Sequence, residues 1–67
     1  MLYSIRWSSD VDGDIIGFAK NLSEAKDMAR KAAPELVPED LIQVFATDMD
    51  GNEGTTAVAE WLAEELM

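Results

Sequence analysis

The sequence predicts an α+β domain: a small antiparallel sheet, a β-hairpin plus a third strand, packed against two helices in the order β-β-α-β-α. Three observations predict it. Two runs of alternating apolar and polar residues flank an Asp-Gly turn near the start, and apolar residues recur at helical spacing after residue 21. Near the end, Val58, Trp61, Leu62 and Leu66 again fall at helical spacing. At 67 residues the chain has room for one domain, 1–67, around one core.

In residues 2–9, Tyr3, Ile5 and Trp7 alternate with Ser4, Arg6 and Ser8, as in a half-buried strand. Asp12-Gly13 supplies the turn, because glycine accepts the positive φ that tight hairpins need. Residues 14–20 return as the second strand, with Ile16 and Phe18 expected on one face. Asn21, with Glu24 three residues later, resembles a capping box. It opens a helix whose inner face is Leu22, Ala25, Met28, Ala29 and Ala32. Pro34 should stop that helix at Ala33. Leu41–Thr47, rich in β-branched and aromatic residues, reads as the third strand.

A second acidic turn, Asp48-Met49-Asp50-Gly51-Asn52-Glu53-Gly54, follows. Residues 55–59 suit a short fourth strand, but the spacing of the later apolar residues favours a helix capped by Thr55 or Thr56. The expected core is Tyr3, Ile5, Trp7, Ile16, Phe18, Met28, Ile42, Val44, Phe45, Val58, Trp61, Leu62 and Leu66.

Composition narrows the chemistry. The chain has no Cys and no His, so disulfides, thiolate metal sites and the commonest general base are all missing. Acid–base catalysis would need paired carboxylates in a dry cleft or a buried lysine, and a chain this small has little volume for a cleft. A non-enzyme without cofactor is expected. Asp10-Val11-Asp12-Gly13-Asp14 and Asp48-Met49-Asp50-Gly51-Asn52 imitate the start of a calcium loop. An EF-hand loop also needs Gly at its sixth position and Glu at its twelfth, where this chain has Ile15 or Glu53, and Asn21 or Ala59. Both segments read as acidic turns, and no metal is expected. The N-terminus lacks the basic-then-apolar pattern of a signal peptide, and no apolar run approaches the ~20 residues of a membrane span. A soluble cytoplasmic protein is the expectation.

Charge is distributed unevenly. Arg6, Lys20, Lys26, Arg30 and Lys31 are matched by Asp10, Asp12, Asp14, Glu24 and Asp27. From Ala32 onward nine acidic residues stand without a basic one, so the formal charge of −9 belongs to the second half. Such asymmetry bears on partners more than on fold. Glu60 and Glu64, four apart, would be a like-charge pair on a helix, and Glu64 and Glu65 would oppose the dipole at its C-terminus. Stability alone does not explain that placement. Carboxylates at i and i+4 on a helix lie ~6 Å apart, the order of phosphate spacing on a nucleic acid strand. Asp48, Asp50, Glu53, Glu60, Glu64 and Glu65 are therefore the expected partner-binding residues, with a basic nucleic-acid-binding protein as partner and no direct contact to nucleic acid or membrane.

With its size, its pI near 4.1 and the segments Asn21-Leu22-Ser23-Glu24-Ala25-Lys26 and Glu60-Trp61-Leu62-Ala63-Glu64-Glu65, the chain resembles the small acidic phage-encoded anti-CRISPR proteins of the DNA-mimic type. That resemblance implies inhibition of a Cas effector complex in a host cytoplasm. The hairpin followed by Leu22-Ser23-Glu24-Ala25 is also similar to the partial RNase-H-like domain of HicB-type antitoxins, although the Pro-Gly-Cys segment of those domains is missing. It implies neutralisation of a basic RNase toxin. A third alternative is an acidic cytosolic protein of a halophile, whose charge answers to its solvent.

Salt separates the third alternative from the other two. A halophilic chain needs salt to relieve self-repulsion, whereas a charge mimic should be folded at ~0.1 M salt, where the Debye length is ~10 Å. Circular dichroism across salt concentration should show a folded protein throughout. Unfolding in dilute buffer would mark the halophile.

Overall fold

The computed structural model describes residues 2–47, 52, 54 and 56–66. Its elements are β1 (Leu2–Ser8), β2 (Gly13–Ala19), α1 (Leu22–Ala32), a 3-10 turn at Ala33–Glu35, β3 (Leu41–Thr47), β4 (Ala59–Leu62) and a second 3-10 turn at Ala63–Leu66. The four strands form one antiparallel sheet in the order β2-β1-β3-β4. α1 and the two 3-10 turns pack on one face of it.

Local chemistry sets the first half much as the sequence predicts. The Ser9 backbone N–H donates to Asp12 O at 2.7 Å, and Asp12 Oδ1 accepts the Gly13 N–H at 2.8 Å, which closes the β1–β2 loop. Gly13 does not take the left-handed φ expected of it but opens β2 opposite Ser8; glycine is required there for space, because a Cβ would stand 2.9 Å from the Trp7 carbonyl oxygen. Asn21 caps α1, its Oδ1 accepting the Glu24 N–H at 2.8 Å, and satisfies one of the orphan donors of the first turn. Arg30 and Lys31 sit in the last turn, where cations suit the helix dipole. Past Ala32 the chain tightens into the 3-10 turn, with Pro34 in its first turn.

The C-terminal half departs from expectation. The predicted second helix is absent from the described residues, and the order is β-β-α-β-β. β4 pairs with β3 through Val44↔Ala59, Gln43↔Glu60, Ile42↔Trp61 and Leu41↔Leu62. This pairing points Ala59 and Trp61 to the core and Glu60 and Leu62 away from it. The strand then breaks into a 3-10 turn that buries Ala63 and partly buries Leu66. Helical spacing arose because two short inward-facing elements abut. Of the expected acidic turn, residues 48–51 and Glu53 lie outside the described residues, as does the expected cap Thr55.

A β-bulge produces the second departure. Between Ile5 and Arg6 the register of the β1–β2 ladder shifts: Ile5 pairs with Gly17 and Arg6 with Ile15. Ile16 is the extra residue, and it packs on the core together with Trp7 and Tyr3. Beyond the bulge the faces are exchanged relative to simple alternation. Ala19 becomes fully buried and Phe18 points away from α1, 54% exposed. Phe18 therefore does not share a face with Ile16. Phe45 and Leu62 likewise lie outside the core cluster, and Val58 is exposed.

The core itself is small. Its fully buried members are Ile5, Ala19, Ala25, Ala29, Ala33, Ile42, Val44 and Ala63, flanked by Tyr3, Trp7, Ile16, Met28, Leu36, Ala59, Trp61 and Leu66. Ile5→Ala should cost ~2–5 kcal/mol in urea denaturation, because it deletes buried methyl groups at the sheet centre. Phe18→Ala should cost less than ~1 kcal/mol, as expected for a surface change. Equal losses would place Phe18 in the core and overturn the bulged register.

Candidate functional site

One end of the sheet is marked by the row Gly13–Ser8–Leu41–Leu62, paired across all four strands. Three acidic segments leave the sheet from this row. The β1–β2 loop carries Asp10 and Asp12, with Asp14 one residue into β2; Glu35 closes the first 3-10 turn and Glu39 lies on the approach to β3; the 3-10 turn after β4 carries Glu64 and Glu65. All seven are exposed. The backbone holds the last two segments together: the Ala63 N–H donates to Asp40 O at 2.9 Å, and the Glu64 N–H donates to Pro38 O at 3.3 Å. An open groove lined by residues 8–11 and 37, 39, 40 and 41 joins the first segment to the second.

Asp40 differs from its neighbours. Its side chain is only 6% exposed, and Oδ2 accepts the Val37 N–H at 3.3 Å while its own N–H donates to Val37 O. It is a turn-building carboxylate. Asp12 and Asp14 also accept local backbone N–H groups, from Gly13 at 2.8 Å and Ile15 at 2.7 Å, yet both remain exposed. Among the described residues no group of three or more acidic side chains is arranged to hold a metal ion. No helix among them is long and apolar enough to cross a membrane.

The six residues expected from sequence separate in the structure. Asp48, Asp50 and Glu53 lie outside the described residues. Glu60 is on β4, facing away from α1, and its Oε2 accepts from Gln43 Nε2 at 3.2 Å. Glu64 and Glu65 belong to the next element, so the expected helical ridge of Glu60 and Glu64 does not form. The expected dipole conflict disappears too, since Glu64 and Glu65 occupy the first turn of their 3-10 segment. Glu65 Oε1 accepts the Leu62 N–H at 3.2 Å, the side-chain-to-backbone half of a capping box. Both glutamates are exposed, and it is Glu65 whose carboxylate caps the turn.

Sequence reasoning missed Glu39 as a charge beside the hairpin turn, because only the sheet register brings segments so far apart in the chain to one end. It also missed the placement of Lys26, whose Nζ lies 5.9 Å from the Trp61 ring centroid and draws a helix cation over β4.

No protein-family model matches the chain, and no curated protein or solved structure matches it either.

The two neighbouring glutamates should behave differently. Glu65→Ala should lower stability by ~0.5–1 kcal/mol through loss of the cap, whereas Glu64→Ala should stay within ~0.5 kcal/mol of the parent. Urea denaturation followed by the fluorescence of Trp7 and Trp61 reads both. Equal effects would remove the assigned division of roles.

Proposed function

We propose that the chain is a non-enzymatic, protein-binding inhibitor that sets its acidic end into a basic nucleic-acid-binding site, most concretely that of a Cas effector complex. The observation that supports this best is the convergence of Asp10, Asp12, Asp14, Glu35, Glu39, Glu64 and Glu65 at one end of the sheet. A basic groove built for phosphates would find there several carboxylates on a preformed frame, each still exposed and not committed to a buried ion pair. The net charge of −9 adds long-range attraction, which accelerates encounter at low salt and fades as salt rises. With no Cys and no His, inhibition by occupancy suits the chain better than inhibition by chemistry.

The test is competition. Binding of a Cas effector to its target DNA should fall as the chain is added, and added salt should weaken the inhibition. The triple reversal Asp12→Lys, Glu39→Lys and Glu64→Lys should weaken inhibition ~10–100-fold, since each exposed pair contributes ~0.2–1 kcal/mol and reversal adds repulsion. Circular dichroism should show the fold retained. If the chain leaves DNA binding untouched but neutralises a co-expressed basic RNase, it is an antitoxin. If the triple reversal inhibits as well as the parent, the acidic end is not the contact.

A further inference from the structure

The β1–β2 loop holds a chemically reactive pairing. Asp12 is exposed, and its Oδ1 lies 2.8 Å from the Gly13 amide nitrogen, whose N–H it accepts. That bond folds the side chain back over its own following peptide link. The Asp12 carboxyl carbon and the Gly13 nitrogen thus become the two ends of an unclosed five-membered ring. Reacting atoms already held side by side in one chain need little reorganisation to join. Glycine adds to this, because it carries no side chain to shield its amide. The fold also keeps glycine at that position, since a Cβ would stand 2.9 Å from the Trp7 carbonyl oxygen.

The other aspartates show what sets this one apart. Asp14 makes the same kind of bond, its Oδ1 accepting the Ile15 N–H at 2.7 Å. Its neighbour is β-branched, however, and Asp14 is itself paired with Trp7 within β2. Asp10 is followed by Val11, also β-branched. Asp27 lies inside α1, and Asp40 is buried with its Oδ2 turned to the Val37 N–H. Among the described residues, Asp12 alone combines exposure, a carboxylate folded onto the next amide, and glycine as that neighbour.

We propose that Asp12 is a site of spontaneous modification, isomerising to isoaspartate in the folded chain. The Gly13 nitrogen attacks the Asp12 carboxyl carbon. The amide hydrogen and the hydroxyl of the protonated carboxyl leave together as water, and a succinimide closes. Water then adds to the main-chain carbonyl carbon of Asp12 and breaks its bond to the Gly13 nitrogen, so the chain now runs through the former side chain. The water lost equals the water gained, no electrons are exchanged, and mass and net charge are unchanged. The product has one more methylene carbon in its main chain, and the old carbonyl has become the free carboxylate. That carbonyl oxygen is the acceptor for the Ser9 N–H at 2.7 Å and for Ser9 Oγ at 3.3 Å. The loop that sets Ser8 opposite Gly13 therefore loses its spacing while the acidic end keeps its charge. The proposal does not depend on inhibition by that end, and its test needs no partner.

The test holds the folded chain in warm, near-neutral buffer and samples it over days. Isoaspartyl residues are counted by enzymatic methylation of their free α-carboxylate with labelled S-adenosylmethionine. Electron-transfer fragmentation then locates them and separates position 12 from the Asp50-Gly51 pair, which lies outside the described residues. Label should accumulate with time at position 12 and stay at background at Asp10 and Asp14. Asp12→Glu should lose the label at that position, because the same attack would have to close a larger ring. Circular dichroism checks that this variant folds, and if it does not, localisation in the parent chain decides alone. Absence of label at position 12 in the folded chain overturns the proposal, including the case where the urea-unfolded chain gains it and the loop proves protective. So does label confined to Asp50, or label appearing equally at Asp14.

Discussion

The close approach of α1 to the sheet is the constraint on which the rest depends. Of the eight buried apolar residues among those described, five are alanines: Ala19, Ala25, Ala29, Ala33 and Ala63. Alanine adds little hydrophobic area, but it loses no side-chain entropy on burial and lets backbones come near. On β2, Gly17 faces the flexible end of Met28, whose terminal methyl would have to swing aside for a Cβ there. The larger members, Ile5, Ile42 and Val44, then fill the centre across β1 and β3. A chain of this length buries only ~60% of the surface it exposes when unfolded, so a thin, closely seated core suits the area it has.

That economy governs what the other face can be. With the helix layer complete on one side, no described element is left to cover Leu2, Phe18 and Phe45 on the other. Among the described residues the helix layer lies on one face only, while the other face exposes Leu2, Ile15 and Phe18 around a buried Ser4. Glu35, Glu64 and Glu65 belong to the 3-10 turns beside α1, whereas Asp10 and Asp12 belong to the β1–β2 loop.

How much of this was legible in the sequence follows from how local each determinant is. The Asp12-Gly13 turn, the Asn21 cap and the strand at Leu41–Thr47 depend on neighbours within a few residues, and they were readable. β4 was not. Ala59, Trp61, Ala63 and Leu66 all turn toward the core, two from a strand and two from a 3-10 turn, and their combined spacing imitates a helix. The acidic end was hidden for a different reason: Asp12, Glu39 and Glu64 come to the same end of the sheet only through strand pairing, and no local pattern encodes it. Phe18 was misread because the period of two is broken at Ile16, where nothing in the residue types announces an extra position.

The bulge also bears on how this chain tolerates changes in length. β2 holds one codon more than its ladder with β1 needs, since Ile16 and Gly17 together face Ile5. Losing the Gly17 codon would let Ile16 pair with Ile5 while Phe18 and Ala19 kept their partners and their sides. The same loss in β1 or β3, where every residue is paired in step, would reverse the side of every residue beyond it. A deletion scan should therefore find its most permissive in-strand gap at this position, a spare link through which related chains could shorten without turning the sheet over.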